Sequence, residues 1–214
     1  MKEERKNQSY FLYMLSQNQL KKTLFPLGNY LKSEIRDLAQ KFNLINANKK
    51  ESQDICFVTN GDYKSFIESA IQKQEVSSGN IVDNNGTILA QHTGLYKYTI
   101  GQRKGLNISH PEPLYVIKLN AHKNEVIVGT KDELATNSVK IQNYSLVNPG
   151  DISLNKTYSV KVRYQMIPFQ CTFESVNPQE VILKATTPLK FITPGQSCVI
   201  YDNDFVIGGG IITK

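Results

Sequence analysis

The chain has 214 residues, 40% hydrophobic and 21% charged, which is the balance of a globular protein with room for one large domain or two to three small ones. No apolar run reaches the ~18 residues of a membrane-spanning helix, and the Lys/Glu/Arg-rich start has no apolar signal core, so neither a span nor a secretory signal is expected. The net charge of +6 lies wholly in residues 1–50, where ten Lys and Arg face four Asp and Glu, while residues 51–214 carry fifteen of each. A basic first quarter suits a polyanion such as RNA, and suits a solubilising helical surface equally well.

In chain order, Gln8–Leu15 reads as the start of a buried helix, with Ser9 as its N-cap. Ser16-Gln17-Asn18-Gln19 caps a second short helical turn, and Pro26 and Gly28 punctuate the chain after it. Leu31, Ile35, Leu38, Ala39 and Phe42 recur at helical spacing, so Ser33–Phe42 is predicted to be an amphipathic helix. Lys32, Arg36 and Lys41 fall off its apolar stripe. Asn60-Gly61-Asp62 is a turn into a helix marked by Phe66, Ile67, Ala70 and Ile71, running to about Gln74. Past Ser77-Ser78-Gly79 the pattern turns to short strands: Asn80–Val82, Gly86–Leu89 and Tyr96–Ile100, then Leu114–Leu119 and Glu125–Val128 as a hairpin. Gly129–Asn137 is polar. Six strands come next, at Val139–Leu146, Thr157–Arg163, Gln170–Val176, Val181–Lys184, Ser197–Tyr201 and Phe205–Ile212. Six short strands in succession predict a closed barrel, because closure removes exposed edges. The fold class is therefore α+β and multidomain: a helical first part (1–61), a small central α+β domain (62–135) and an all-β barrel (136–214).

The cysteines, Cys56, Cys171 and Cys198, are odd in number and form no CxxC, which fits a reducing, cytoplasmic setting. His92, His110 and His122 have no ligand spacing, so no metal is expected. Cys56 sits in Glu51-Ser52-Gln53-Asp54-Ile55-Cys56-Phe57-Val58. A thiol in a turn before a helix faces the helix's positive end, which favours the thiolate. Asp54 opposes this, since a nearby negative charge raises a thiol pKa. On residue type alone, a lone Cys beside Ile55 and Phe57 is more often a small buried hydrophobe. Gly101-Gln102-Arg103-Lys104-Gly105 has two cations between glycines, as a phosphate nest would, but lacks Walker spacing. It reads as structural or as an RNA backbone contact through Arg103 and Lys104. Gly208-Gly209-Gly210, inside a strand pattern, marks a bulge or close strand packing.

Several strings, in order and over the whole chain, resemble one family. They are Asn7-Gln8-Ser9-Tyr10-Phe11-Leu12-Tyr13, Phe25-Pro26-Leu27-Gly28, Asp54-Ile55-Cys56-Phe57, Ile100-Gly101-Gln102-Arg103-Lys104-Gly105-Leu106, Val162-Arg163-Tyr164, Thr193-Pro194-Gly195-Gln196-Ser197 and Gly208-Gly209-Gly210-Ile211-Ile212. Together they resemble the tRNA-specific 2-thiouridylases. The resemblance implies that residues 1–61 are the end of an α/β ATP-pyrophosphatase domain, whose phosphate loop and second catalytic cysteine do not occur in this sequence. A fragment of a whole enzyme, or a separate chain supplying the ATP-binding half, is then expected.

The resemblance implies a cytoplasmic transferase acting in tRNA modification. ATP with Mg activates the 2-oxygen of the wobble uridine, and sulfur replaces it. Cys56 matches the cysteine that carries the persulfide sulfur, loaded by a sulfur-relay protein or a cysteine desulfurase. The family's other cysteine resolves it, leaving a disulfide to be reduced. Lys6, Asn7 and Gln8 match a tRNA-contacting tripeptide, although the family usually has Asp at the position of Asn7. Arg163 and Tyr164 match a tRNA-contacting pair on the barrel, and Gln196 matches a further contact. Cys171 and Cys198, in strand patterns, are expected to be packing residues. The rival readings are a catalytically inactive tRNA-binding module and a stand-alone persulfide carrier.

Overall fold

The structure is a computed structural model that describes residues 8–49, 67, 77–147 and 152–213. Its chain divides into two compact units. One comprises Met1–Ser52, Asn137–Thr187 and Pro194–Lys214; the other comprises Gln53–Thr136 and Pro188–Thr193. The expected segment around Cys56 lies outside the described residues, as does the predicted helix after Asp62 apart from Ile67, which is helical.

The second unit is built on four strands: β1 (Gly79–Val82), β2 (Ile88–His92), β3 (Tyr115–Asn120) and β4 (Glu125–Gly129). Their order in the sheet is β2-β1-β4-β3, with β1 antiparallel to β2 and parallel to β4, and β3 antiparallel to β4. Ile81, Val116, Val126 and Val128 are fully buried and are joined by Leu106 and Leu114, the one apolar face such a sheet must cover. One end is locked by His92. Its Nδ1 accepts from the Gly94 amide at 3.1 Å, so Nε2 donates to the Asn124 carbonyl at 3.0 Å. Gly79 has to be glycine, since a Cβ there would lie 2.0 Å from the Asn124 carbonyl oxygen.

Tyr96–Ile100 is not a strand. The alternation of Tyr96, Lys97, Tyr98, Thr99 and Ile100 imitates one, but the amides of Lys97 and Tyr98 bond back to the Gly94 and Leu95 carbonyls, giving a 3-10 turn at Leu95–Lys97. Gly94, at φ 144°, turns the chain into it, a conformation open to glycine.

The first unit contains the predicted barrel. Its strands are β5 (Thr136–Leu146), β6 (Thr157–Lys161), β7 (Phe169–Val176), β8 (Glu180–Leu189), β9 (Ser197–Asp202) and β10 (Phe205–Ile212). They close in the order β10-β5-β8-β7-β6-β9. Alternate residues point inward, as the period-2 pattern requires. Val139, Ile141, Tyr158, Val160, Cys171, Phe173, Val181, Leu183, Cys198, Ile200 and Ile212 are buried. β10 shifts register at two places, between Val206 and Gly208 and between Gly209 and Ile211, so the triple glycine marks bulges as expected.

The same unit holds the N-terminal segment. The predicted helix over Gln8–Leu15 is only a 3-10 turn, Ser9–Phe11, and Ser9 is not its cap: Gln8 holds that position without a side-chain cap bond. The Ser9 hydroxyl is engaged with Tyr201 instead. α1 (Gln17–Leu20) begins with a reciprocal capping box between Ser16 and Gln19. α2 (Lys32–Lys41) matches the predicted amphipathic helix, yet none of its residues is fully buried. Leu24, Phe25, Leu27, Phe42, Leu44 and Ile45 are exposed around it.

Candidate nucleic-acid interface

Sequence spacing alone cannot say whether Gln8, the Arg163-Tyr164 pair and Gln196 meet. In the first unit they are drawn together by two tyrosines. Tyr10 and Tyr13 lie three apart on a tight turn, so both face the barrel, where they are 8% and 4% exposed against Val199 and Tyr201. The Tyr10 hydroxyl donates to the Ser197 carbonyl at 2.7 Å, and the Tyr13 hydroxyl lies 3.0 Å from Ser197 Oγ. Ser197 follows Gln196, whose carbonyl accepts from the Ile212 amide at 2.8 Å; the Gly195 amide donates to the Ile212 carbonyl at 2.9 Å. The Thr-Pro-Gly-Gln-Ser turn is thereby pinned both to β10 and to the N-terminal segment.

The barrel pair is drawn in through its ring. β6 ends at Lys161, earlier than the expected Arg163, because the chain bends there: the Val162 amide donates to Met166 Sδ at 3.2 Å and the Met166 amide to the Arg163 carbonyl at 3.3 Å. The bend leaves Arg163 exposed and Tyr164 half-buried. The Tyr164 ring lies 4.8 Å from that of Phe11 at a 41° tilt and 6.1 Å from that of Tyr10, while Tyr10 and Phe11 meet edge-on at 5.4 Å. Lys161 Nζ sits 5.8 Å from the Tyr201 ring centroid, within cation–π range. Gln8, exposed, precedes the turn, and its carbonyl accepts from the Phe11 amide at 2.9 Å.

The electrostatics follow from burial. The Tyr10 phenol is pushed up to about 12, chiefly by desolvation and further by Cys198, Tyr13 and Tyr201, with the Arg163 guanidinium pulling the other way. Tyr201 is also raised by burial, against the hydrogen bond from Ser9. Both phenols are neutral at neutral pH, Tyr10 donating to Ser197 and Tyr201 accepting from Ser9. The two barrel cysteines are free and buried. Burial pushes the Cys171 thiol up to about 12 and that of Cys198 further up, the reverse of what a reactive sulfur requires.

Gln8, Arg163, Tyr164 and Gln196 thus share one unit and one network of ties. Lys6, Asn7 and Cys56 lie outside the described residues. Arg103 and Lys104 belong to the second unit, where both are exposed. The start of their loop is tied down: the Gly101 amide donates to the Val116 carbonyl at 2.8 Å, that of Gln102 to Thr99 at 2.9 Å, and the Gln102 carbonyl accepts from Val116 at 2.9 Å. The Gln102 side chain closes the loop onto Lys104 O at 3.0 Å. The loop offers anions the two exposed side chains of Arg103 and Lys104. Sequence reasoning passed over Phe11, Lys161 and Ser197. The signal was present in the three-residue spacing of Tyr10 and Tyr13, which puts both rings against the barrel and leaves Phe11, between them, exposed.

A mixed four-stranded sheet and a closed antiparallel barrel that carries a basic, aromatic face define a multidomain α+β protein. Comparison with known families agrees piece by piece. Residues 1–60 match the model described as a tRNA methyl transferase HUP domain, residues 64–130 its PRC-barrel domain, and residues 136–212 an aminomethyltransferase beta-barrel domain. Similar proteins include the tRNA-specific 2-thiouridylase MnmA of Geotalea uraniireducens, 45% identical over 207 residues, covering 97% of this chain and 55% of that protein. That of Koribacter versatilis is 40% identical over 211 residues, covering 97% and 57%. MnmA 1 of Caldanaerobacter subterraneus is 42% identical over 210 residues, covering 98% and 57%. The chain belongs to the tRNA-specific 2-thiouridylase family, and it spans a little over half the length of the curated relatives it matches.

Proposed function

We propose that this chain takes part in the 2-thiolation of the wobble uridine of tRNA, holding the tRNA through Gln8, Arg163, Tyr164 and Gln196 and carrying sulfur on Cys56. The observation that carries the reading is the convergence of three separate strings, nearly 190 residues apart at the extremes, on one tied face of the first unit. Arg163 offers a planar donor fork to phosphate, Tyr164 a ring and a hydroxyl, and the two glutamines amide donors and acceptors. Lys6 and Asn7 extend the contact toward the target base. Arg103 and Lys104 add phosphate contacts from the second unit.

Cys56 is the sulfur carrier in this reading. Its thiolate takes the outer sulfur of the persulfide on a sulfur-relay protein or a cysteine desulfurase, releasing the donor's thiolate, and the terminal sulfur of the new persulfide attacks C2 of the base, whose oxygen, adenylated beforehand by the ATP-binding half, leaves with AMP. A second cysteine then resolves the exchange as a disulfide. Cys171 and Cys198 are unsuited to either task, being sealed in the barrel with raised thiol pKa values.

ATP fits this chain poorly. The glycine-flanked cationic loop Gly101–Gly105 lacks the spacing of a nucleotide-binding loop, and its first two amides are taken by the Val116 and Thr99 carbonyls. We place ATP binding in the part of the enzyme that the longer relatives have and this chain does not match, on the same polypeptide or on a separate one. The exposed apolar residues around α2 support such a partner half. The poor fit to ATP also favours the second reading, a tRNA-binding module without catalysis of its own.

Two measurements test this. After incubation with a cysteine desulfurase and cysteine, a persulfide-selective reagent is expected to label the wild type and not Cys56→Ser; equal labelling ends the carrier role. tRNA affinity is expected to fall steeply with salt, by about 0.7–0.9 in log–log slope per phosphate contacted. A flat profile ends the tRNA reading.

A further inference from the structure

We propose that Phe11, backed by Tyr164, is a stacking platform for an unpaired base of the bound tRNA. This rests on the reading above, and concerns a residue to which the sequence reading gave no role and a kind of contact it did not consider. Within one turn the chain buries Tyr10 and Tyr13 and leaves Phe11 61% exposed between them. The exposure is built rather than incidental, since both flanking rings are tied to Ser197 by their hydroxyls and cannot roll to cover it. Phe11 is also supported from behind. Tyr164 lies 4.8 Å away and Tyr10 5.4 Å away at a right angle, so one face of the ring is held and another is presented.

The surroundings select the occupant. The three segments that build this face, residues 8–20, 157–166 and 193–201, contain no Asp or Glu, and the second supplies Lys161 and Arg163. A protein patch would not need this one-sided charge, whereas a phosphate backbone does. Phenylalanine has no donor for a phosphate, so its part is played with a π face. Bases in an RNA helix are stacked on each other, so the platform takes a base that is splayed out, as in a loop. Gln8, next to the turn, is placed to read the edge of a base lying on the ring.

The test uses the 214-residue chain, unmodified tRNA and equilibrium binding over a salt series. Phe11→Leu keeps bulk and removes the ring; it is expected to weaken binding roughly five- to a hundredfold with the salt slope unchanged, because no charge is lost. Phe11→Tyr is expected to restore affinity. Arg163→Gln is expected to lower the slope by about 0.7–0.9, the signature of one phosphate contact. As a second readout, a hairpin RNA with 5-iodouridine in its loop is expected to photocrosslink to the tryptic peptide Asn7–Lys21. Wild-type affinity in Phe11→Leu, or crosslinks that avoid both this peptide and the one beginning at Tyr164, would overturn the platform and assign the ring to a protein contact. If the wild-type chain binds no tRNA, the functional reading above fails and the platform fails with it.

Discussion

Removing Ser197 Oγ separates the two ties that Ser197 makes with the N-terminal segment. Tyr13 bonds to that side-chain oxygen, whereas Tyr10 bonds to the backbone carbonyl of the same residue, which no substitution removes. Tyr13→Phe deletes one neutral hydrogen bond, worth about 0.5–1.5 kcal/mol net, and Ser197→Ala deletes the same bond from its other end. The double variant therefore costs less than the sum, with a coupling of about 0.5–1.5 kcal/mol. Tyr10→Phe leaves a buried carbonyl without that donor and costs more alone, about 1–3 kcal/mol. Its coupling to Ser197→Ala is expected within the ~0.5 kcal/mol of ordinary additivity. The assay is urea unfolding followed by far-UV circular dichroism, since the chain has no tryptophan. If Tyr10 couples to Ser197→Ala as strongly as Tyr13 does, or if Tyr13 does not couple at all, the bonds are not arranged as described.

Alkali is expected to unfold the first unit. Cys171 and Tyr10 hold their protons to about pH 12 when folded, against 9.0 and 10.0 otherwise, and Cys198 is raised as well. The unfolded chain thus releases protons first, so stability is complete below pH 9 and declines as pH rises from 9 toward 12; replacing both cysteines by alanine should move the onset to about pH 10 in a denaturant titration. Gly209→Ala would place a Cβ 2.5 Å from the Cys198 carbonyl oxygen and 2.7 Å from the Tyr13 ring, and is expected to lower the urea midpoint by the equivalent of about 1–3 kcal/mol. Ile45→Asn and Leu24→Asn, at exposed positions, should change stability by less than ~0.5 kcal/mol while reducing binding of a hydrophobic dye.

The barrel was legible because each of its strands carries its own evidence. Alternation in Tyr158-Ser159-Val160 or Val181-Ile182-Leu183, bounded by turn residues, is a local property, and closure follows from having six of them. Tyr96–Ile100 shows the limit of the same rule. Its alternation is as good as any strand's, but the amides were claimed locally by the turn after Gly94. The run Tyr10-Phe11-Leu12-Tyr13 failed differently. Four apolar residues in a row predict burial, and only the partners at Val199 and Tyr201 decide which two rings go inside. The meeting of Tyr10 and Phe11 with Tyr164, and of Tyr10 and Tyr13 with Ser197, has no local signature at all. It depends on contacts more than 150 residues apart, and a motif resemblance could nominate its members without saying that they touch.

The first unit is discontinuous: its opening segment and its barrel are separated in the chain by nearly the whole of the second unit. Among the described residues, the Ser9, Tyr10 and Tyr13 hydroxyls and a small aromatic cluster fasten them, none of it reached through the intervening chain. The peptide linkage between the two pieces serves mainly to keep their effective concentration high. The opening segment is in this sense a subunit that happens to be tethered. A cut in the second unit would sever the polypeptide and leave the face of Gln8, Phe11 and Tyr164 assembled.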